Sequence, residues 1–485
     1  MNKRPNFLIF MSDHMNADVV NGNSCYMPNA KKLAKEGVLF KNAYCPTPHC
    51  CPSRATFFTG VYPSKHGIYN NVSNPTAIHT KLNSGVITFS ELLKSSGYRL
   101  LFTGKWHVSA QENPSDRGWE ELIVGSGKTD VSHRVIDYWR DPANTKDSDV
   151  CSRQKGQILR PGWGDYQAYK TLPSNSYVEH GDYKITNSAI QVIPELAKDN
   201  NPWCLYVGVN GPHDPYFVPE QFVKLYNSKQ IKLPPNFIDN LEDKPRIYQR
   251  LRQERFGQLT EDEVRETIAH YWAYCSMEDA LFGEVLKKLE ETGQMENTVI
   301  VFLSDHGDYC GAHGLFAKGV PSFREAYNIP CIIRYPKGIN NPGREVDEFI
   351  SLADFVPTFL DIAGASIPEN LTGKSIVPFL KGEVPKDWTD AFYSQFNGVE
   401  LYYTQRIVAT KDFKYVFNGF DFDELYDLKN DPYELVNLSQ NKNYEEAKHN
   451  LVKKMWKFAM QENDEIMFNQ YITVGLAPWG PKDAI

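Results

Sequence analysis

The residues that could do covalent chemistry are concentrated at positions 49–60, which contain two adjacent thiols, Cys50 and Cys51. A thiol here could act as a nucleophile, although paired cysteines are often small apolar side chains of a core. Pro52 suits the first turn of a helix, and Gly60 suits its end. Cys50 is therefore predicted just before a helix N-terminus, where free N–H groups and the helix dipole favour an anion.

Four further groups of polar residues each follow a short apolar run. In an open α/β sheet, ligands bind outside the carboxyl ends of the strands, so these groups are predicted to converge in one crevice. Asp13 and Asp305 are suitable oxygen ligands for a divalent cation, and a histidine follows each directly. This arrangement predicts a metal site shaped by two loops. The four groups are Asp13 with His14, Lys105 with His107, His213, and Asp305 with His306.

The elements that would position these groups alternate between short apolar strands and helices. This alternation predicts an α/β fold, with a large, mostly parallel sheet sandwiched by helices. Residues 110–180 lack clear periodicity, and residues 228–260 are polar with scattered prolines. The predicted strands are 6–11, 38–40, 98–103, 202–209, 298–303 and 330–335, and the predicted helices are 28–36, 52–58, 88–95, 183–196, 261–291 and 354–363.

After about residue 385 the pattern changes to short strands at hairpin spacing, followed by an amphipathic helix at 445–461. We therefore predict an N-terminal domain over residues 1–384 and a smaller C-terminal subdomain over 385–485. The subdomain would hold a small antiparallel sheet and one helix. Its predicted strands are 392–396, 405–410, 414–418 and 424–427.

Composition narrows the classes of function. The 485 residues carry a net charge of −8, which gives no basic footprint for nucleic acid. Nine cysteines without a Cys-x-x-Cys pair indicate reduced thiols rather than a disulfide framework. No apolar run is long enough to span a membrane, and no signal peptide is recognisable. We expect a cytoplasmic protein; a periplasmic protein whose signal had been removed would look the same.

The segment Cys50-x-Pro52-Ser53-Arg54, closed by Phe58-Thr59-Gly60, resembles the signature of the type I, formylglycine-dependent sulfatases of the alkaline phosphatase superfamily. Further segments fall in that family's order, so the resemblance covers nearly the whole chain. These segments are Asp13 after the first strand, Gly104-Lys105-Trp106-His107, Gly211-Pro212-His213, Ser304-Asp305-His306-Gly307, Lys318-Gly319 and the tail from Glu424 to Leu438.

This resemblance implies a sulfuric ester hydrolase that cleaves a sulfated carbohydrate or other small sulfate ester. It implies that a separate maturase oxidises Cys50, rather than Cys51, to formylglycine (3-oxoalanine), because Pro52 must lie two positions on. One divalent metal is expected, with Ca²⁺ first; a nitrogen-rich shell leaves Mn²⁺ or Zn²⁺ open. The metal ligands implied are Asp13, His14, Cys50, Asp305 and His306.

The resemblance also implies roles for the remaining charged residues. Arg54 would neutralise the developing alkoxide, and Lys105 and Lys318 would bind sulfate oxygens. His213 would act as general acid for the departing alcohol, and His107 as the base that triggers sulfate elimination. Asn71 would bind sulfate, with Asn70 as the second choice; for His313, contact with the site and a structural role are equally open.

Two other functions remain open from the sequence. A phosphonate monoester or phosphodiester hydrolase of the same superfamily would share the fold and the modified cysteine. Those relatives tend to lack the residues found here as Lys105 and His107, which favours sulfate. A non-catalytic binding protein is the third class, and the intact set of Cys50, Arg54 and His213 argues against it.

Overall fold

A computed structural model describes residues 4–74, 77–128, 152–161, 164–399, 402–419, 421–476 and 478–484. The strands in these residues are β1 Asn6–Ser12, β2 Val38–Phe40, β3 Ala43–Tyr44, β4 Arg99–Lys105, β5 Glu120–Gly125, β6 Gln157–Ile158, β7 Tyr166–Gln167, β8 Tyr169–Leu172, β9 Trp203–Gly208, β10 Tyr216–Pro219, β11 Thr298–Ser304, β12 Asn328–Ile329, β13 Cys331–Arg334, β14 Arg344–Val346, β15 Ile350–Ser351, β16 Phe392–Gly398, β17 Tyr402–Ala409, β18 Phe413–Asn418 and β19 Glu424–Asp427. The helices are α1 Asp18–Asn21, α2 Pro28–Glu36, α3 Cys50–Thr59, α4 Pro63–His66, α5 Phe89–Ser95, α6 Gly181–Leu196, α7 Glu220–Val223, α8 Arg246–Glu254, α9 Glu261–Glu291, α10 Arg324–Tyr327, α11 Phe355–Ala363, α12 Val377–Lys381, α13 Glu445–Gln461 and α14 Gln470–Gly475.

The centre of the fold is an eight-stranded sheet in the order β14-β2-β13-β11-β1-β9-β4-β5. The five strands from β11 to β5 are parallel to one another, and β13 runs antiparallel to both β11 and β2. The prediction of a large, mostly parallel sheet is confirmed. Its central strand, β1, is buried along its whole length, as its continuous apolar sequence indicates.

Each face of the large sheet supports its own hydrophobic core. Along β1, Phe7 and Ile9 point into one core, while Leu8 and Phe10 point into the other, as the period of a strand requires. Helices α3, α5 and α11 cover the first face, and α2, α6 and α9 cover the second. The result is the sandwich of helices around a sheet that the sequence predicted.

The C-terminal part of the chain forms an antiparallel sheet in the order β16-β17-β18-β19. Tyr393 and Val408 lie on the face that packs against Met455 and Trp456 of α13. The opposite face contributes Phe396 and other side chains to the first core of the large sheet. The predicted small antiparallel sheet with one helix is therefore present, and it is buried on both faces.

Three local predictions differ from the structure. Strand β5 was not predicted, because it lies in the segment without clear periodicity; its side chains are largely exposed at the sheet edge, and its apolar run, Leu122-Ile123-Val124, is short. Helix α8 lies in the segment expected only to be polar. Helix α3 already begins at Cys50, with His49 as its N-cap. Part of the predicted irregular segment, residues 129–151, lies outside the described residues. None of the helices in the described residues is long and apolar enough to cross a membrane.

Candidate active site

The four polar groups predicted to converge do lie together, at the carboxyl edge of the large sheet. Strands β11, β1, β9 and β4 are adjacent and parallel, so the residues that follow them leave the sheet on the same side. Ser12 is directly opposite Ser304 in the register, which brings Asp13 beside Asp305. The loop after β9 is fixed here too, because the Asp13 N–H donates to the Gly211 carbonyl over 3.0 Å.

Four side chains form a compact, fully buried group that we call the strand-end site: Asp13, Cys50, Asp305 and His306. One donor atom from each lies within 4.8 Å of the others. The Cys50 Sγ is 3.6 Å from Asp13 Oδ1 and 3.3 Å from His306 Nε2. His306 Nδ1 is 2.9 Å from the Gly307 carbonyl, which assigns its proton to Nδ1 and leaves the Nε2 lone pair facing the group. Two carboxylates and one imidazole nitrogen fit a divalent cation.

The structure separates the two adjacent cysteines. Burial raises the pKa of the Cys51 thiol, and its backbone N–H donates to Asn71 Oδ1 over 3.0 Å. Burial would also raise the pKa of Cys50, but Lys105, Lys318 and His306 lower it below its usual value. Of the two thiols, Cys50 is therefore the one whose thiolate form the positive charges of the site stabilise.

Arg54 joins helix α3 to two of the strand ends. Its Nε donates to Asp305 Oδ2 over 2.8 Å, and its Nη1 donates to the Lys105 carbonyl and the Tyr206 hydroxyl. Its Nη2 is buried, lies 3.8 Å from Asp13 Oδ2 and has no hydrogen-bond partner in the part of the chain that the structure describes. The guanidinium is therefore fixed on one side and holds an unused donor on the other.

Two lysines flank the strand-end site. The Lys105 ammonium pairs with Asp13 Oδ2. Burial and the charge of Cys50 would raise the pKa of Asp13, but Lys105, His213 and Arg54 hold it well below its usual value. The Lys318 ammonium lies between two imidazoles, in contact with His14 Nε2 and 3.1 Å from His213 Nε2.

His14 lies outside the strand-end site, although the sequence predicts it as a metal ligand. Its Nδ1 faces Asp308 Oδ2 at 3.1 Å, and burial together with Lys318 lowers its pKa, so the ring is neutral and accepts from Lys318. It belongs to a second group of donors with Asp13 and His213. In this geometry His14 orients Lys318.

The two histidines predicted as base and acid have opposite pKa shifts, and the Cys50 side chain raises the pKa of each ring. Burial and Lys105 lower the pKa of His107 to about 4, so its ring is neutral at pH 7. Burial and Lys318 would lower the pKa of His213, but Asp214 and Asp13 raise it above its usual value. Opposed pKa values at one reacting position are the pattern expected of a base and an acid.

The sequence analysis missed Asp214 and Asp308. Asp214 lies 3.3 Å from His213 Nδ1, and Asp308 holds His14 and accepts from the Tyr216 hydroxyl over 2.7 Å. Burial raises the pKa of Asp308 to about 7. Each follows a strand-end histidine within two positions, which was a usable sequence signal.

Of the other residues predicted to bind sulfate, Asn71 lies beside the site and Asn70 is directed elsewhere. Asn71 lines a cavity of about 310 Å³ that His213, Lys318 and Arg255 also line. Asn70 instead donates to the Val399 carbonyl over 3.4 Å and accepts from the Ile78 N–H. A larger cavity of about 430 Å³, between Tyr62 and Phe458, contains no predicted site residue.

Comparisons with known proteins agree on a family. The sequence matches the family model described as Sulfatase over residues 5–365 and the model described as N-sulphoglucosamine sulphohydrolase, C-terminal, over residues 311–461. It is 30% identical to the choline-sulfatase of Rhizobium meliloti, over 90% of this chain and 83% of that protein. It is 26% identical to the N-acetylglucosamine-6-O-sulfatase of Bacteroides thetaiotaomicron, over 95% and 87%.

The fold is also that of a solved phosphonate hydrolase. The crystal structure of the phosphonate monoester hydrolase of Agrobacterium radiobacter superimposes with a TM-score of 0.77 at 22% identity, covering 95% of this chain and 96% of that one.

Proposed function

The chain belongs to the sulfatase family of sulfuric ester hydrolases, and from that membership we propose that it removes sulfate from a sulfated carbohydrate or another small sulfate ester. We further propose that a maturase converts Cys50 to formylglycine. A hydrated formylglycine has two hydroxyls on one carbon, so it supplies a nucleophile and a way to expel sulfate afterwards. The single observation that supports this proposal best is the surroundings of the Cys50 side chain: its Sγ lies 3.6 Å from Asp13 Oδ1 and 3.3 Å from His306 Nε2, and Lys105 and Lys318 lower its pKa.

A divalent cation, Ca²⁺ first, would be held by Asp13, Asp305, His306 and residue 50, where it would supply Lewis-acid activation. We leave His14 out of this ligand set, because its ring faces Lys318 and Asp308. The donor set mixes oxygen with one nitrogen, so Mn²⁺ and Zn²⁺ remain alternatives.

The protein's own cations would bind the sulfate group. Lys105 pairs with Asp13, Lys318 lies 3.1 Å from His213 Nε2, and both lower the pKa of Cys50, so a sulfate at residue 50 would have two ammonium groups nearby. The unused Nη2 donor of Arg54 points toward the same centre, and Asn71 lines the adjoining cavity. Anchored donors of this kind need no reorganisation when negative charge develops.

The two histidines would move the protons. His213, whose pKa is raised, would donate to the leaving alcohol oxygen, and Asp214 would hold its ring at Nδ1. His107, whose pKa is lowered, would accept a proton from residue 50 when sulfate is expelled. The Cys50 side chain raises the pKa of both rings, so both lie near residue 50.

We propose the division of the chain at residues 384 and 385, into a catalytic alkaline-phosphatase-like domain and a C-terminal subdomain. The last strand of the large sheet ends at Val346, and the first strand of the antiparallel sheet begins at Phe392. The shared first core means that the subdomain would support the catalytic domain directly.

A second candidate function is phosphonate monoester hydrolysis, which the fold similarity to the Agrobacterium radiobacter enzyme supports. The presence of Lys105 and His107, which such hydrolases tend to lack, favours sulfate. A panel of sulfated mono- and disaccharides, choline sulfate, nitrophenyl sulfate and a phosphonate monoester would separate the two. A kcat/KM that is highest on the phosphonate monoester would make the second candidate the function.

The modification is tested by peptide mass spectrometry after co-expression with a maturase. We expect the mass change from thiol to aldehyde at Cys50 and an unchanged thiol at Cys51. Cys51→Ser should retain both conversion and activity, whereas Cys50→Ala should lose both. An intact Cys50 thiol in an active preparation would contradict the mechanism.

A further inference from the structure

A second buried group of metal-binding side chains lies outside the strand-end site: His313, Glu325 and Glu434, which we call the His313 cluster. One donor atom from each lies within 4.8 Å of the others. His313 lies in the loop after β11, Glu325 is in α10, and Glu434 follows β19. All three are at least nine-tenths buried, and the hydrolytic mechanism uses none of them.

The imidazole of His313 is held as metal-binding imidazoles usually are. Its Nδ1 lies 2.7 Å from Asp239 Oδ2, and that carboxylate is itself paired with Lys244 at 3.2 Å. The ring stacks on Phe323 with centroids 3.4 Å apart. Its Nε2 is buried and has no hydrogen-bond partner among the described residues. A carboxylate that fixes one ring nitrogen and turns the other toward an open position is the usual outer shell of a histidine ligand.

The two glutamates are also anchored by one oxygen each. Glu325 Oε1 accepts from Asn236 Nδ2 over 3.1 Å, and its Oε2 is buried without a partner. Glu434 Oε2 accepts from the Arg324 N–H over 3.0 Å, and its other oxygen faces the Lys414 ammonium. Glu325 Oε2 is therefore available to a further ligand. Each Glu434 oxygen has a partner already, but a carboxylate oxygen has a second lone pair that can bind a further ligand.

Two cations approach the glutamates of the cluster: Lys414 faces Glu434, and Arg324 Nη2 lies 3.9 Å from Glu325 Oε1. With its Nδ1 proton donated to Asp239, a neutral His313 presents an Nε2 lone pair near carboxylate oxygens, and facing acceptors repel one another. Lys414 contacts Glu434 alone among the three. Buried acceptors without partners are costly, and a cation bound between them would remove that cost.

We propose that the His313 cluster binds a second divalent cation through His313 Nε2, Glu325 Oε2 and the Glu434 carboxylate. One imidazole nitrogen with two carboxylates suits Zn²⁺ or Mn²⁺ better than Ca²⁺. Such an ion joins the loop after β11, which leads to Lys318, to the segment after β19. It therefore stabilises the contact between the two parts of the chain. This inference does not rest on the proposed substrate or on formylglycine.

The test uses a variant in which two carboxylates of the strand-end site are replaced, so that metal binding at the His313 cluster can be measured separately. In Asp13→Asn/Asp305→Asn protein, stripped with a chelator and given Zn²⁺ or Mn²⁺, we expect one tightly bound ion per chain by elemental analysis and a rise in Tm. Adding Glu325→Gln, which keeps the side-chain volume, should weaken binding at least tenfold and abolish that rise. Adding Glu424→Gln is the matched control, because Glu424 is equally buried but is held by Tyr248 and Tyr426. It should lower Tm and leave ion binding intact.

Two results would overturn the proposal. The first is a double variant that binds no ion and whose Tm does not respond to either metal. That result would mean that a proton on His313 Nε2 donates a hydrogen bond to the carboxylates of the cluster in place of an ion. The second applies if Glu325→Gln does not fold: crystals of the natural protein soaked in Zn²⁺ or Mn²⁺ should show an anomalous peak between the three side chains. Its absence would equally reject the site.

Discussion

Two arginines, Arg54 and Arg406, are completely buried, and each is paired with an aspartate, but their hydrogen bonding differs. Arg406 binds Asp464 through both Nε and Nη2, at 2.5 and 2.8 Å, and its Nη1 donates to the carbonyl of Gln405. Arg54 binds Asp305 through Nε alone and leaves Nη2 without a hydrogen-bond partner.

The difference separates an ion pair whose donors are all used from one that leaves a donor for a ligand. A buried charge whose donors are all used can only hold the structure, and Arg406 joins β17 to the segment that follows α13. A buried guanidinium with an unused donor costs stability unless a ligand completes it. Arg54 therefore indicates where negative charge is expected in the reaction, and Arg406 indicates where the C-terminal region is fixed.

The largest effect should come from Arg54→Met. Removing the donor that faces the developing charge should lower kcat roughly 10³-fold, as loss of an oxyanion-stabilising donor does. The measurement is steady-state kinetics on the best sulfate ester, with the extent of Cys50 conversion quantified in the same sample. A variant that keeps more than a tenth of wild-type kcat would place Arg54 in the structural class with Arg406.

Arg406→Met is the matched change in the other pair. It leaves Asp464 buried without its partner, which should lower the free energy of unfolding by about 3–4 kcal/mol. Activity measured well below the new Tm should stay near that of the wild type. Denaturant unfolding tests the predicted loss of stability, and kcat/KM measured on the same preparation tests the predicted retention of activity. A large loss of kcat at full folding would show that the C-terminal region also shapes the site.

The sequence predicted the strands and helices that position the two arginines better than it predicted the contacts of their side chains. Strand β11 and helix α9 were predicted almost to the residue, because a fully buried run and a long amphipathic helix carry strong local patterns. Arg54 was predicted in the site from its motif. The unused Nη2 donor could not be predicted, because it depends on where Asp13, Lys105 and Tyr206 meet in space.

The positions of His14 and His313 show the same limit. His14 follows a strand-end aspartate just as His306 does, yet it contacts Lys318, which lies 304 positions away in the chain. His313 shares its loop with the site residues but turns toward Asp239. Residue type and strand-end position predict the neighbourhood of a side chain; the loops decide which atoms it contacts.

His213→Ala tests whether the leaving group of the substrate lies at His213, in the site that the unused Nη2 donor of Arg54 also faces. General-acid catalysis contributes roughly 10²-fold or more, so kcat on sugar or alkyl sulfates should fall by about that factor. Nitrophenyl sulfate has a leaving group that needs little protonation, and its kcat should fall far less. The ratio of the two losses is the readout. Equal losses would remove His213 from the acid role and leave it as a contact of Lys318.

The last prediction concerns Asp354, a buried carboxyl without an arginine partner among the described residues. Its oxygens accept the N–H groups of Ser351 and Lys374 at 2.7 and 2.8 Å, and burial raises its pKa to about 7. A folded-state pKa above the unfolded value of 3.8 means that the folded protein holds the proton more tightly, so this contribution to stability is present at low pH and is lost as the pH rises toward 7. Asp354→Asn should therefore flatten the dependence of unfolding free energy on pH between about 4 and 7, measured by denaturant titration. Parallel curves for variant and wild type would mean that Asp354 is ionised in the folded protein, and that two backbone donors can replace the arginine which Asp305 and Asp464 each have.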